Sequence, residues 1–202
     1  GEDALRAKIS QLTELFQGTN IDWELIFSSP TSSPDQSGIV AEVLLRKYYP
    51  DLYILRQGRS LFITGKAPGK GGKVGFAAKD ALSTDNAHPP ADLVAYTDID
   101  IAIDLRQLGL LMQDMIDAEG NITNVVAIGS RPKFAYPPLP PHDAEGIINT
   151  ATTAVRKLFF TQQPILKGIA DTQMGLKIFP GPLLSKFIGE AQDSDWTFDT
   201  EW

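Results

Sequence analysis

Apolar residues recur at helical spacing near the start of the chain. Leu5, Ile9, Leu12, Leu15 and Phe16 share one face of residues 3–17, and Gly18 suits the position after the last turn. Residues 21–27, Ile-Asp-Trp-Glu-Leu-Ile-Phe, alternate in polarity and predict a strand. A Ser/Pro/Thr loop over 28–33 follows. Ser33-Pro34-Asp35-Gln36 then reads as a capped helix start, and that helix should run to about Tyr48, before Pro50. Residues 52–56 and 60–64 flank Gln57-Gly58-Arg59 and predict a hairpin. The four glycines between Gly65 and Gly72 predict a loop, with Val74 to Ala78 resuming a strand.

The strongest alternation lies in Leu93 to Ile103, where Ile99, Ile101 and Ile103 interleave with Asp98, Asp100 and Ala102. Asp104 is placed to cap a helix over 105–118, with Gln107 in box position and an apolar stripe of Leu105, Leu108, Leu111, Met112, Met115 and Ile116. Residues 123–128 form a short apolar run, so strand, helix and strand follow in βαβ order. Ser130 to His142 is Pro-rich and irregular. Asp143 to Phe160 has helical periodicity. Residues 165–189 read as short pieces, with a helical turn over Leu183 to Ile188. The resulting expectation is an α+β domain over 3–189, with a mixed or antiparallel sheet flanked by helices, followed by an acidic aromatic tail at 190–202.

Composition narrows the function classes. The chain has 202 residues, 43% apolar and 21% charged, enough to bury a core without staples. Eighteen Lys and Arg against 25 Asp and Glu give a formal net charge of -7, which argues against a dedicated nucleic-acid binder. Zero Cys excludes disulfide scaffolds, Cys-ligated metals and Cys nucleophiles, and two His leave few metal triads. No apolar run approaches the roughly 20 residues that span a bilayer. No cofactor is expected. One sequon, Asn121-Ile122-Thr123, adjoins the turn-like Glu119-Gly120.

The net charge hides a polarity. Between Arg46 and Lys79 stand Arg46, Lys47, Arg56, Arg59, Lys66, Lys70, Lys73 and Lys79, opposed only by Asp51. Beyond Lys186 there is no cation; Glu190, Asp193, Asp195, Asp199 and Glu201 surround Trp196, Phe198 and Trp202. Aromatics supply anchoring area and acids supply steering. The expected function is a non-enzymatic protein-binding or assembly module. Arg56, Arg59, Lys66, Lys70 and Lys73 would form one binding surface, and Trp196, Phe198 and Trp202 the complementary one. The partner is another protein or a second copy.

The alternative is a Mg-dependent enzyme acting on a phosphorylated or nucleotide substrate. Asp98 and Asp100 at i and i+2 of a strand would share a face and hold a hard cation. Asp98-Ile99-Asp100 resembles the paired-Asp strand of nucleotidyltransferase-like folds. The Gly-Ser helix start those folds carry upstream is missing, replaced by Leu82-Ser83-Thr84-Asp85 and Pro89-Pro90. The run Gly65-Lys66-Ala67-Pro68-Gly69-Lys70-Gly71-Gly72-Lys73 could cradle a small anion, although it is not a P-loop: Thr64 and Gly71 stand where Gly and Ser or Thr are required. Tyr136 to Pro141 is polyproline II material. His88 and His142 adjoin prolines, and Ser130 lacks a nucleophile-elbow pattern.

Overall fold

Helix α1 (Glu2–Phe16) buries the stripe its spacing predicts, Leu5, Ile9 and Leu12. It ends where Gly18 takes a left-handed φ of 74° and Thr19 N donates to Phe16 O at 3.1 Å. The computed structural model of the chain describes residues 2–30, 37–48, 62–65, 69–83, 89–98, 103–129 and 175–190. Contacts gather residues 1–128 and 175–202 into one unit and 129–174 into a second. Apart from Gly129, the second unit lies outside the described residues, as do the Pro-rich run, the expected helix at 143–160 and the tail beyond Glu190.

The first part of the described unit is a parallel strand pair. Strand β1 (Phe27–Pro30) runs alongside β2 (Phe62–Gly65), in register from Phe27 opposite Phe62 to Pro30 opposite Gly65. Helix α2 (Ser37–Tyr48) lies between them in the chain, and α3 (Gly69–Ala81) follows β2. Leu5 and Ile9 of α1 pack on Ala41, Leu44 and Leu45 of α2, with Leu25 and Phe27 against them.

The second part is an antiparallel sheet in the order β3-β5-β4. Strand β3 (Leu93–Thr97) pairs with β5 (Leu176–Pro180), Val94 opposite Phe179; β4 (Ala127–Ile128) pairs with the other edge, Ala127 opposite Ile178. Strands β3 and β4 therefore point the same way without touching, because β5 stands between them. Every residue of β5 is buried. Helix α5 (Gly181–Glu190) turns back at once, so that Phe179, Leu184 and Ala78 of α3 form a second core, joined by Val94, Tyr96 and Phe187. The Phe179 and Phe187 rings meet edge to face at 6.2 Å. A β-carbon on Gly181 would collide with the Ala91 carbonyl, and Gly181 N donates to Asp92 O at 2.8 Å. Only glycine permits so tight a strand-to-helix corner.

Polar side chains tie α1 to the segment after β3. The buried Lys8 ammonium donates to Ile103 O at 2.7 Å, Leu105 N donates to Gln11 Oε1 at 2.9 Å, and Arg106 reaches Glu14 at 3.3 Å. These three α1 residues are spaced three apart, which brings them to one side.

The α+β class follows the expectation, but several elements differ. Residues 21–26 are irregular, and the strand begins only at Phe27, where β2 provides a ladder. The expected hairpin arm at 52–56 lies outside the described residues, and the partner found for β2 is β1. Residues 69–73, read as loop, and Val74 to Ala78, read as strand, are one helix. Its glycines cost about 1 kcal/mol each relative to alanine. Burial of Gly71, Ala78 and Ala81 on one face offsets that. Strand β3 ends at Thr97, with Asp98 and Ile103 irregular; residues 99–102 of the expected strand lie outside the described residues. Asp104 does cap, accepting from Arg106 N at 3.0 Å, but it caps a 3-10 turn (Leu105–Gln107) that leads into a short α4 (Leu108–Gln113). Arg106, rather than Gln107, completes the cap by gripping both Asp104 oxygens at 2.6–3.1 Å. Residues 123–126 are irregular before β4.

After α4 the chain makes a small hairpin, with Ile116 bridged to Ile122. Asp117 organises its turn: Oδ1 accepts from Asn121 N at 2.7 Å and Glu119 N at 3.1 Å, and Gly120 has φ 87°. The Asn121 backbone and side-chain donors hold the Asp117 carboxyl below its ordinary 3.8. A depressed carboxyl contributes stability above its unfolded value and loses it as pH falls beneath. Asp117→Ala should therefore lower the thermal midpoint at neutral pH, and the gap to the unsubstituted chain should narrow as pH falls below 3.8. Thermal melts across that range check this. Phe179→Ala should cost about 3–5 kcal/mol in denaturant unfolding; a cost under 1 kcal/mol would contradict the packing described.

Candidate functional site

Two of the residues singled out from sequence meet. Lys70 lies in the first turn of α3, and Asp98 immediately follows β3. Their Nζ and Oδ1 atoms are 2.8 Å apart, with the side chains 21% and 41% exposed. Asp98 N donates to Gly175 O at 3.2 Å, and a β-carbon on Gly175 would strike the Asp98 carboxylate. The Tyr96 ring has the Lys70 ammonium 5.8 Å from its centroid on one count and the Lys177 ammonium at 5.5 Å on another. Tyr96 and Lys177 are cross-strand partners, and Lys177 is only 2% exposed.

This group holds elements together. Lys70 pins the start of α3 to the end of β3. A divalent cation at Asp98 would compete with the ammonium, and a phosphate at Lys70 would compete with the carboxylate. Lys73 touches the other strand pair through its backbone, where its carbonyl accepts from Ser28 Oγ at 3.0 Å. Arg56, Arg59, Lys66, Asp100, Trp196, Phe198 and Trp202 lie outside the described residues. Among the described residues no three His, Asp or Glu side chains are placed to hold a metal ion. No described helix is long and apolar enough to cross a membrane.

Two surfaces escaped the sequence analysis. The first is the outward side of α2. Ile39 and Val43, one turn apart, are 60% and 56% exposed, while Ala41, Leu44 and Leu45 occupy the inward side. Lys47 continues the same stripe, and cations gather at the helix end. The Arg6 guanidinium lies 3.6 Å from the Tyr48 ring centroid, the Lys47 ammonium 4.8 Å from it, and Arg46 pairs with Glu42 at 2.6 Å. Hydrogen bonds from Lys47 and then Arg6 hold the Tyr48 phenol below its ordinary 10.0. The signal was present in the sequence as an i, i+4 apolar pair outside the Ala41-Leu44-Leu45 stripe.

The second surface is the hairpin around Asp117, where Ile116 and Ile122 are 39% and 40% exposed. Two isoleucines flanking a polar Asp-Ala-Glu-Gly-Asn turn were its signal. No family model, curated protein or solved structure matches this chain.

Titration with Mg²⁺ or Mn²⁺ in a thermal-shift assay separates an ion pair from a metal site. With the Lys70 ammonium on Asp98, no rise in midpoint is expected. A rise that Asp98→Asn abolishes would instead favour the enzyme reading.

Proposed function

We infer that the chain is a non-enzymatic protein-binding or assembly module whose described docking surface is the outward side of α2. The observation that carries this reading is the exposed Ile39–Val43 stripe running into the Arg6, Lys47 and Tyr48 group. Isolated exposed apolar residues are ordinary on a surface. Two consecutive turns of them bordered by cations combine anchoring area with steering charge. The matching partner is a protein segment that is acidic and apolar or aromatic. Residues 190–202 of this chain have that chemistry in their sequence, with Trp196, Phe198 and Trp202 among acids.

The pairing of Lys70 with Asp98 supports this reading over the enzyme alternative, because it engages a phosphate-binding candidate and a metal-binding candidate with each other. A labelled peptide of residues 190–202 tests the reading by fluorescence anisotropy. Saturable binding is expected, weakened at least about tenfold by Val43→Lys, equivalent to about 1.4 kcal/mol. It should also weaken with added salt. A flat titration would remove residues 190–202 as a ligand of α2, and equal binding by the Val43→Lys chain would remove the support for α2 as a docking face.

A further inference from the structure

We propose that the Asp117 hairpin is the counter-surface of α2, so that copies of this chain associate head to tail, hairpin of one on α2 of the next. The proposal rests on the reading of α2 as a docking face and names its occupant. Ile116 and Ile122 oppose each other in an antiparallel bridge, which sends both side chains to the same side of the hairpin. Both are exposed, as is Val125 at 48%. Asp114, Asp117 and Glu119 border them, and no Lys or Arg occurs between Arg106 and Arg131. None of these three acids is ion-paired among the described residues. Asn121 and Glu119 donate to the Asp117 carboxylate, which favours its charged form.

The two surfaces match in kind. Each offers a pair of aliphatic side chains, Ile39 with Val43 and Ile116 with Ile122. One is bordered by Arg6 and Lys47, the other by Asp114, Asp117 and Glu119 in a stretch of sequence without Lys or Arg. Both stay exposed in a single chain, so they do not cover each other within it, and a second copy is the occupant that supplies what each lacks. Apolar pairs exclude water from the contact, and opposite charge sets its orientation. Because the surfaces differ, the contact is heterologous: it propagates into rings or open chains, not a closed twofold dimer. So small an apolar centre belongs to a transient interface.

Sedimentation velocity on the full chain tests this. The expected result is a mass that rises with protein concentration and falls toward the monomer in about 0.5 M salt. Ile122→Lys and Val43→Lys lie at exposed positions. Each should leave the thermal midpoint near that of the unsubstituted chain and abolish association. An equimolar mixture of the two variants retains one intact surface of each kind and should form a dimer and nothing larger. Glu119→Lys is the second variant should Ile122→Lys lower the midpoint; it should weaken association, and Lys47→Glu should restore it.

A full chain that stays monomeric at every concentration overturns the proposal, as does a mixture that stays monomeric. If removing residues 191–202 abolishes association while Ile122→Lys leaves it intact, the tail is the occupant. The hairpin proposal then fails, and α2 keeps its role as docking face. If Val43→Lys associates like the unsubstituted chain, both fail together.

Discussion

Strand β5 must be dry on both faces, and that requirement organises the antiparallel half of the molecule. Leu176, Ile178 and Phe179 leave it with no face to turn toward water, so it needs strands on both edges and helices on its surfaces. β3 and β4 supply the edges; α3 and α5 supply packing for Phe179 through Ala78 and Leu184. Lys177 within the same strand shows how tight the arrangement is: its ammonium comes to the Tyr96 ring on the neighbouring strand. The corner at Pro180-Gly181 follows from this, since α5 must return immediately to cover Phe179. It is also where proline at a strand end and glycine at a helix start are both tolerated.

The sequence was most legible where periodicity and caps agreed. The α1 stripe, its Gly18 stop, the Asp104 cap and the end of α2 were all readable from spacing alone. It was least legible where tertiary burial overrode local preference. The glycines at 69, 71 and 72 signal a loop, yet they open a helix, against their local preference, in which Gly71 is buried. β5 was unreadable as a central strand, because five consecutive buried residues carry no alternation, and its partners lie far off in the chain. The βαβ signal at 93–128 was sound as an order of elements. Only the insertion of β5 between the two strands was invisible, since nothing local encodes it.

For the candidate site, chemistry was legible and partnership was not. Lys70 and Asp98 were each picked for the charge they carry, and the fold joins those charges to each other. What remains exposed is different in character: a cationic, aliphatic stretch of helix and an anionic, aliphatic turn. The net charge of -7 averages over these two and describes neither. Charge in this chain is organised by surface.

The placement of β5 has a consequence for how the chain is made. Residues 1–128 leave the ribosome with β3 and β4 already synthesised and one strand-width apart in the eventual sheet, about 10 Å between them. Nothing joins them until residues 176–180 emerge, after the whole of 129–174. At about 5–20 residues per second, two unpaired edges and the apolar side chains of Val94 and Tyr96 wait several seconds for their centre strand. The nascent sheet is therefore most open to mispairing between the synthesis of residue 128 and that of residue 176, and α5, following β5 directly, closes it.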